Sequence, residues 1–137
     1  MKLKISPVEV ISIENLKNCI AGWEELIPIE KDYWCGRKER DLEKEITTAL
    51  ELCNMHVTKL PDRTSGIVYP DLLIEFRDEN GCNKTVYIEC KRRNKTLSDE
   101  QEISFTELTK FLDIYLVDGP LRFTVFLKDI LNILTKS

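Results

Sequence analysis

The sequence is poor in the features that mark membrane-spanning, secreted and zinc-binding proteins. No apolar stretch approaches the roughly 20 residues that a transmembrane helix needs, and the N-terminal segment MKLKISPVEV has no continuous apolar core of the kind found in signal peptides. The 137 residues include one histidine and five cysteines, with no Cys-x-x-Cys pair. We therefore expect an intracellular protein with reduced, mostly buried thiols and no membrane partner.

The chain also lacks a net positive charge, with 20 Lys and Arg residues against 24 Asp and Glu residues. The net charge is −4, whereas proteins that coat nucleic acid through bulk attraction usually carry a strong positive excess. One short basic run is the exception, and it consists of Lys91, Arg92, Arg93 and Lys95. This run predicts either a local contact with a phosphodiester backbone or the solvated end of a strand.

The composition that remains suits one globular domain of the α/β class. Hydrophobic residues make up 42% of the chain and charged residues 32%, so disorder is not expected. Periodicity predicts a short strand within residues 1–12, a helix from Ser12 or Glu14 to about Leu26 and a helix over 38–54. It then predicts strands over 56–60, 69–76 and 85–91, a helix from Ser98, a strand over 121–127 and a helix over 128–136. We expect residues 1–37 to form an N-terminal extension packed on a core domain of residues 38–137.

Three local signals support these boundaries. Asn54 tolerates the left-handed conformation that often follows a helix. The dipeptide Asn80-Gly81 between two β-prone segments predicts a hairpin. Ser98, followed three residues later by Gln101, matches a capping box at the start of a helix.

The hairpin carries the residues that suggest chemistry. Side chains alternate along a strand, so Glu89 and Lys91 of the segment YIECKRR point the same way and Cys90 points the other way. Asp71, at the start of the segment DLLIEF, is expected to converge with Glu89. Two carboxylates, with the backbone carbonyl of Cys90, would suit Mg²⁺ or Mn²⁺, and Lys91 could orient or deprotonate a bound water or neutralise a phosphate. The alternative is a pair of solvated carboxylates on an ordinary sheet face.

The segments YPDLLIEF and VYIECKRR resemble the PD-(D/E)XK nuclease superfamily, and the segment LSDEQ that follows is most similar to its virus-type replication-repair (VRR-Nuc) branch. The resemblance covers about residues 38 to 136. It implies a restriction-endonuclease-like core, with a central mixed four-stranded sheet flanked by helices in the order αβββαβ plus a terminal helix. One departure concerns Gly66, which lies further from Pro70 than in the family and leaves the shape of the intervening loop open.

The resemblance also implies roles for individual residues. Asp71 and Glu89 match the metal carboxylates, Lys91 the catalytic lysine and Gln101 a glutamine of the next helix. The acid of the first helix matches Glu39 or Glu43 equally well, because the two share a helix face. Glu45 is a poorer match.

The function implied is metal-dependent hydrolysis of DNA phosphodiester bonds, with Mg²⁺ or Mn²⁺ and no organic cofactor. A small domain without an evident sequence-reading module favours a structure-specific endonuclease, of the junction-resolvase or branched-DNA type used in DNA repair and recombination, working as a homodimer. The alternatives are a sequence-specific restriction-type enzyme and a non-catalytic nucleic-acid-binding module. Arg92, Arg93 and Lys95 would contact the DNA backbone.

Overall fold

A computed structural model describes residues 8–30, 36–61, 63–64, 67–92 and 95–136. These residues form an α/β fold in which a four-stranded mixed sheet is flanked by helices. The helices are α1 (Ile13–Glu24), α2 (Glu39–Leu52), α3 (Asp99–Leu108) and α4 (Pro120–Thr135), with a short 3₁₀ turn at Ile27–Ile29. The strands are β1 (His56–Lys59), β2 (Arg63–Thr64), β3 (Ile67–Val68), β4 (Leu72–Arg77), β5 (Asn83–Cys90) and β6 (Ile114–Val117). The predicted α/β class and the mixed four-stranded sheet are confirmed.

The main sheet has the strand order β1-β4-β5-β6. β1 and β5 both run antiparallel to β4, and β6 runs parallel to β5. Because β5 and β6 are parallel, the chain must return to the starting end of the sheet between them, and α3 makes this crossover. β4 and β5 are the two inner strands, and the carboxyl end of β5 comes out beside that of β6.

The predicted hairpin between β4 and β5 is confirmed. Gly81 has a φ of +83°, a conformation that side-chain-bearing residues rarely adopt. The Asp78 carboxylate closes the turn by accepting from the N–H groups of Asn80 (3.0 Å) and Cys82 (2.8 Å). This turn fixes the register in which Leu72 pairs with Ile88. The register in turn determines which side chains meet at the far end of the hairpin.

The helix ends also follow the local sequence. Ser98 and Gln101 form the predicted capping box, with the Ser98 hydroxyl accepting from the Gln101 N–H at 3.2 Å and the Gln101 side chain accepting from the Ser98 N–H at 3.0 Å. Asn54 has a φ of +66° just beyond α2, as predicted for the end of this helix. The start of α3 and the end of α2 are thus both determined by residues next to them in the sequence.

One face of the sheet and the helices over it form a single hydrophobic core. Leu72, Ile74, Val86, Ile88 and Cys90 alternate along β4 and β5 with residues of the other face, and all are buried. The helices α1, α2 and α4 contribute most of the remaining core residues. α1 packs along α4, where the Trp23 and Phe123 rings meet edge to face at 4.6 Å. The apolar face of α1 is thus part of the same core as the sheet, although the boundary between residues 37 and 38 stays a prediction.

Two predicted elements near the C-terminus are wrong. The segment predicted as a strand over 121–127 and a helix over 128–136 is one helix, α4. The buried residues Phe123, Phe126, Leu127 and Ile130 follow helical spacing, and Pro120 suits the first turn of a helix. The fourth strand is β6, which the prediction had placed in the preceding helix. β6 forms a strand because it completes the sheet beside β5 and buries Val117.

The loop before Asp71 forms a small two-stranded sheet. β2 and β3 pair antiparallel, and the Val68 N–H donates to the Ser104 hydroxyl of α3 at 3.3 Å. The residues between Gly66 and Pro70 thus include β3, and the β2–β3 pair contacts α3. Residue 66 itself lies outside the described residues, as does most of the strand predicted within residues 1–12. In the described residues of that segment, the β-type pairing is limited to an isolated bridge between Val10 and Arg77.

None of the helices in the described parts of the chain combines the length and the apolar character required to cross a bilayer.

Candidate functional site

The β4–β5 hairpin brings Asp71 and Glu89 together. Leu72 pairs with Ile88, so Asp71 and Glu89 are the next facing positions beyond the ladder. The Glu89 carboxylate accepts from the Asp71 N–H at 3.2 Å, and the Asp71 carboxylate accepts from the Cys90 N–H at 2.8 Å. Each acid is therefore held by a backbone group of the opposite strand. The two carboxylates therefore converge at the end of the hairpin, as the sequence predicts.

Glu89 is an almost completely buried carboxyl group, with 3% of its surface exposed. Burial, together with the nearby Asp71 carboxylate, raises the pKa of Glu89 to about 8. An isolated buried carboxylate is costly, so this environment favours either a proton or a cation on Glu89. This burial does not fit the alternative of a solvated carboxylate on a sheet face.

Gln101 orients Glu89 from α3. Its side-chain nitrogen donates to Glu89 Oε2 at 2.9 Å, while its side-chain oxygen accepts from the Ser98 N–H. Because the oxygen is used by the helix cap, the amide nitrogen must face Glu89. Gln101 thus helps to cap the N-terminus of α3 and also orients the buried Glu89 carboxyl group.

Lys91 lies on the same side of β5 as Glu89, as the alternation predicts. Its Nζ is 3.6 Å from Glu89 Oε2, and its side chain is 13% exposed. The backbone of Lys91 is fixed to β6, since its N–H donates to the Val117 carbonyl at 3.0 Å. A positive charge is therefore held next to the carboxylates with little freedom to move away.

A third carboxylate approaches Asp71 from α2. Glu43, Asp71 and Cys90 each offer a possible ligand atom, and these atoms lie within 4.8 Å of one another. Burial raises the pKa of Glu43, and a hydrogen bond from Lys59 opposes that increase. Asp71 therefore stands between two groups, with Glu89, Gln101 and Lys91 on one side of the sheet end and Glu43, Cys90 and Lys59 on the other.

The two predicted alternatives for the acid of the first helix occupy different positions. Glu43 reaches Asp71, whereas Glu39, one turn earlier, accepts from the Arg92 N–H at 3.4 Å. Glu45, the third alternative, forms an ion pair with Arg37. Of these three acids, Glu43 is the one that the fold places in the carboxylate group.

Arg92 and Lys95 of the basic run follow β5 in the described part of the chain. Arg92 is exposed, and Arg93 lies outside the described residues. Lys95 is exposed and lines an open cleft of about 550 Å³ together with Leu97, Glu102 and Arg122. The cleft carries charges of both signs, so the basic run does not form a uniformly positive surface in the part of the chain that the structure describes.

The donor set fits a hard divalent cation. Mg²⁺ and Mn²⁺ prefer carboxylate oxygens, and Glu43, Asp71 and Glu89 supply them from three different elements at one end of the sheet. The Cys90 thiol is a softer group. Burial raises the pKa of this thiol well above its usual range, and Asp71 adds to the increase, so the sulfur stays protonated and is a poor ligand. The backbone carbonyl of Cys90 stays a predicted ligand.

Lys59 is the residue of this region that the sequence interpretation missed. Its Nζ lies 2.6 and 2.7 Å from the two carboxylate oxygens of Glu43 and 3.8 Å from Asp71 Oδ1. Pairing of the segment HVTKL with DLLIEF, in the antiparallel register that buries the apolar residues of both, would have placed Lys59 beside Asp71. That pairing is long-range, and nothing in either segment alone indicates it.

Neither protein-family models, nor curated proteins, nor solved structures give a match to this chain. The interpretation of the site therefore depends on the geometry and chemistry of its own residues.

Proposed function

We propose that the protein is a metal-dependent endonuclease that hydrolyses DNA phosphodiester bonds at branched or otherwise structured sites. The observation that supports this proposal is the position of Asp71 at one end of the sheet. Glu43 approaches Asp71 on one side, and Glu89, with the ammonium of Lys91, lies beside it on the other. A purely structural role would not require an almost fully buried acid beside Asp71, because burying the Glu89 carboxyl group costs folding free energy.

Each residue of the site has a separate proposed role in hydrolysis. Asp71 and Glu43, with Glu89, would hold one divalent cation, which supplies Lewis-acid polarisation of the phosphate and a water of lowered pKa. Lys91, 3.6 Å from Glu89, would as an ammonium offset the charge that develops on the phosphate, or as a neutral amine accept a proton from the attacking water. Gln101 is a positioning residue, since it acts on the reaction through the carboxylate that it holds.

The proposed substrate class follows from the surroundings of the site. The chain is acidic overall, and the flanking cleft carries Lys95 and Arg122 among acidic residues. Such a surface offers a few phosphate contacts rather than a broad electrostatic attraction. Recognition of DNA shape, with a homodimer cutting two strands, suits this limited contact better than reading of a long sequence.

The test is cleavage of end-labelled four-way junction, flap and linear duplex DNA with Mg²⁺ or Mn²⁺. Asp71→Asn keeps an oxygen that can accept from the Cys90 N–H, and Lys91→Met keeps the length of the side chain. We expect each variant to lose at least about a hundredfold in cleavage rate. Glu107→Gln is the matched control, because this exposed acid on α3 pairs only with exposed Lys110 among the described contacts. Unchanged cleavage by Asp71→Asn would refute the assigned site.

Cleavage assays, DNA-binding assays and metal titration by calorimetry together separate the alternatives. Cuts at one repeated sequence on long linear DNA would indicate a restriction-type enzyme. Binding of DNA with no cleavage, and with no heat of metal binding that depends on Asp71, would indicate a nucleic-acid-binding module. A matching comparison with RNA substrates tests the choice of DNA.

A further inference from the structure

Lys59 occupies a position beside the candidate metal ligands that the proposed function leaves unexplained. It is the last residue of β1 and pairs with Leu72, so its backbone is one position from Asp71 in the neighbouring strand. The next residue continues the ladder, with the Leu60 N–H donating to the Asp71 carbonyl at 2.9 Å. The β1–β4 pairing therefore positions Lys59 beside the carboxylates, in the same way that the β4–β5 pairing positions Glu89.

The Lys59 ammonium contacts the oxygens that a metal ion would use. It lies 2.7 and 2.6 Å from Glu43 Oε1 and Oε2 and 3.8 Å from Asp71 Oδ1. The Glu43 and Asp71 side chains are 14% and 16% exposed, so few water molecules can stabilise their charges. Lys59 contributes the opposing positive charge. Both Glu43 oxygens are engaged by this single ammonium.

An ammonium and a divalent cation cannot both occupy this position. Mg²⁺ coordinates oxygen at about 2.0–2.1 Å, and two cations at one carboxylate repel each other strongly in a partly buried site. Lys59 has room to leave, because 56% of its side chain is exposed and it borders an open groove of about 470 Å³ along α2. Its departure requires rotation of a flexible side chain and no movement of the backbone.

We propose that Lys59 is an internal counter-ion that holds Glu43 and Asp71 together in the metal-free protein and is displaced when a divalent metal ion binds. The proposal depends on the proposed function, because it presumes that Glu43 and Asp71 are metal ligands. The consequence is a lowered apparent metal affinity, since each metal ion must break the Lys59 contacts before it binds. Lys59 thus sets the metal concentration at which the site fills.

The first test measures Mn²⁺ affinity by isothermal titration calorimetry for the wild type, Lys59→Met and Lys59→Arg. Lys59→Met should bind Mn²⁺ about fivefold more tightly, the change expected when an ion pair whose lysine is largely exposed no longer competes. Lys59→Arg keeps the charge and should stay near the wild type. Lys110→Met is the control for the removal of one positive charge, because Lys110 has a similar exposure of 58% and pairs with Glu107 on α3. Equal or weaker binding by Lys59→Met would overturn the proposal.

The second test uses the unaltered protein, so it does not depend on the folding of a variant. Amine acetylation followed by mass spectrometry reports how accessible each lysine ammonium is. Saturating Mn²⁺ should increase the acetylation rate of Lys59 about fivefold, which is the same competition measured from the lysine side. The rates of Lys110 and Lys128, which pair with exposed acids, should not change. A Lys59 rate that is unchanged or lower with bound Mn²⁺ would overturn the proposal.

The two proposals can fail separately. If the wild type and Lys59→Met both give no heat of Mn²⁺ binding, the metal centre is wrong and the role of Lys59 falls with it. If Mn²⁺ binds in a manner that depends on Asp71, while Lys59 changes neither affinity nor acetylation, the metal centre stands and only the counter-ion role is refuted.

Discussion

Glu89 should make the stability of the metal-free protein depend on pH. The pKa of this buried carboxyl is about 8 in the folded protein, against its usual value of 4.5. The folded state therefore holds the proton more tightly than the unfolded chain does. The contribution of Glu89 to the free energy of unfolding is fully present below pH 4.5 and decreases as the pH rises toward 8, where Glu89 ionises in the folded protein as well.

The size of this effect follows from the difference of about 3.5 pH units between the two states. Each pH unit corresponds to about 1.4 kcal/mol, which gives an upper limit of about 5 kcal/mol between pH 4.5 and pH 8. Only 3% of the Glu89 surface is exposed, so water offers little screening. Glu43 contributes in the same direction, because burial also raises its pKa. The contribution of Glu89 must therefore be isolated by substitution.

The measurement is urea unfolding of the wild type and Glu89→Gln at several pH values between 4.5 and 8.5, with a chelator present. Glu89→Gln removes the titrating proton and should flatten the decrease in stability, even though it alters one hydrogen bond at every pH. The exposed Glu107 provides the control, and Glu107→Gln should keep the wild-type slope. If Glu89→Gln and the wild type lose stability equally between pH 5 and pH 8, the assigned environment of Glu89 is wrong.

Three further predictions concern the elements around the site. Gln101→Glu preserves the helix cap but places a carboxylate against Glu89. The Mn²⁺ affinity measured by calorimetry should therefore change by about tenfold, while the helix content measured by circular dichroism stays constant. Unchanged Mn²⁺ affinity would exclude a positioning role for Gln101. Phe126→Ala should lower the free energy of unfolding in urea by about 3–5 kcal/mol, because this fully buried ring joins α4 to β6. Gly119→Ala should lower the free energy of unfolding in urea by about 1 kcal/mol, because a Cβ would collide with the Glu30 carboxylate that accepts from the first turn of α4. In the double variant, Glu30→Ala should lower this free energy little further.

Local chemistry was sufficient to predict the elements whose ends are marked by specific residues. The turn at Asn80-Gly81 needs a left-handed glycine, and the cap at Ser98 needs an acceptor three residues later. Both signals are complete within a few residues of sequence. For this reason the hairpin and the start of α3 could be predicted without knowledge of their neighbours.

The C-terminal third could not be predicted in the same way. The segments 114–117 and 121–127 are both rich in β-branched and aromatic residues, which suit a strand or a buried helix. β6 is a strand because it pairs with β5, and α4 is a helix because one of its faces is covered by α1 and the sheet. These partners are distant in sequence, so the outcome depends on tertiary contacts that periodicity does not contain.

The same difference applies to the candidate site. Asp71, Glu89 and Lys91 could be predicted to meet, because one hairpin and the alternation of side chains determine their positions. Glu43 and Lys59 come from α2 and β1, and their approach depends on the packing of the first helix and on the β1–β4 register. The sequence therefore left Glu39 and Glu43 equivalent and gave no indication of Lys59.

The packing of α1 along α4 has a consequence for experiments on shortened chains. A fragment that begins at residue 38 would uncover the Phe123 ring and the core surface that Leu16 and Ile20 now shield. It would also lose the bond from the Ser12 N–H to the Cys53 carbonyl at the end of α2. Such a fragment should aggregate, and any loss of cleavage would then report misfolding, leaving the catalytic contribution of the first 37 residues unmeasured.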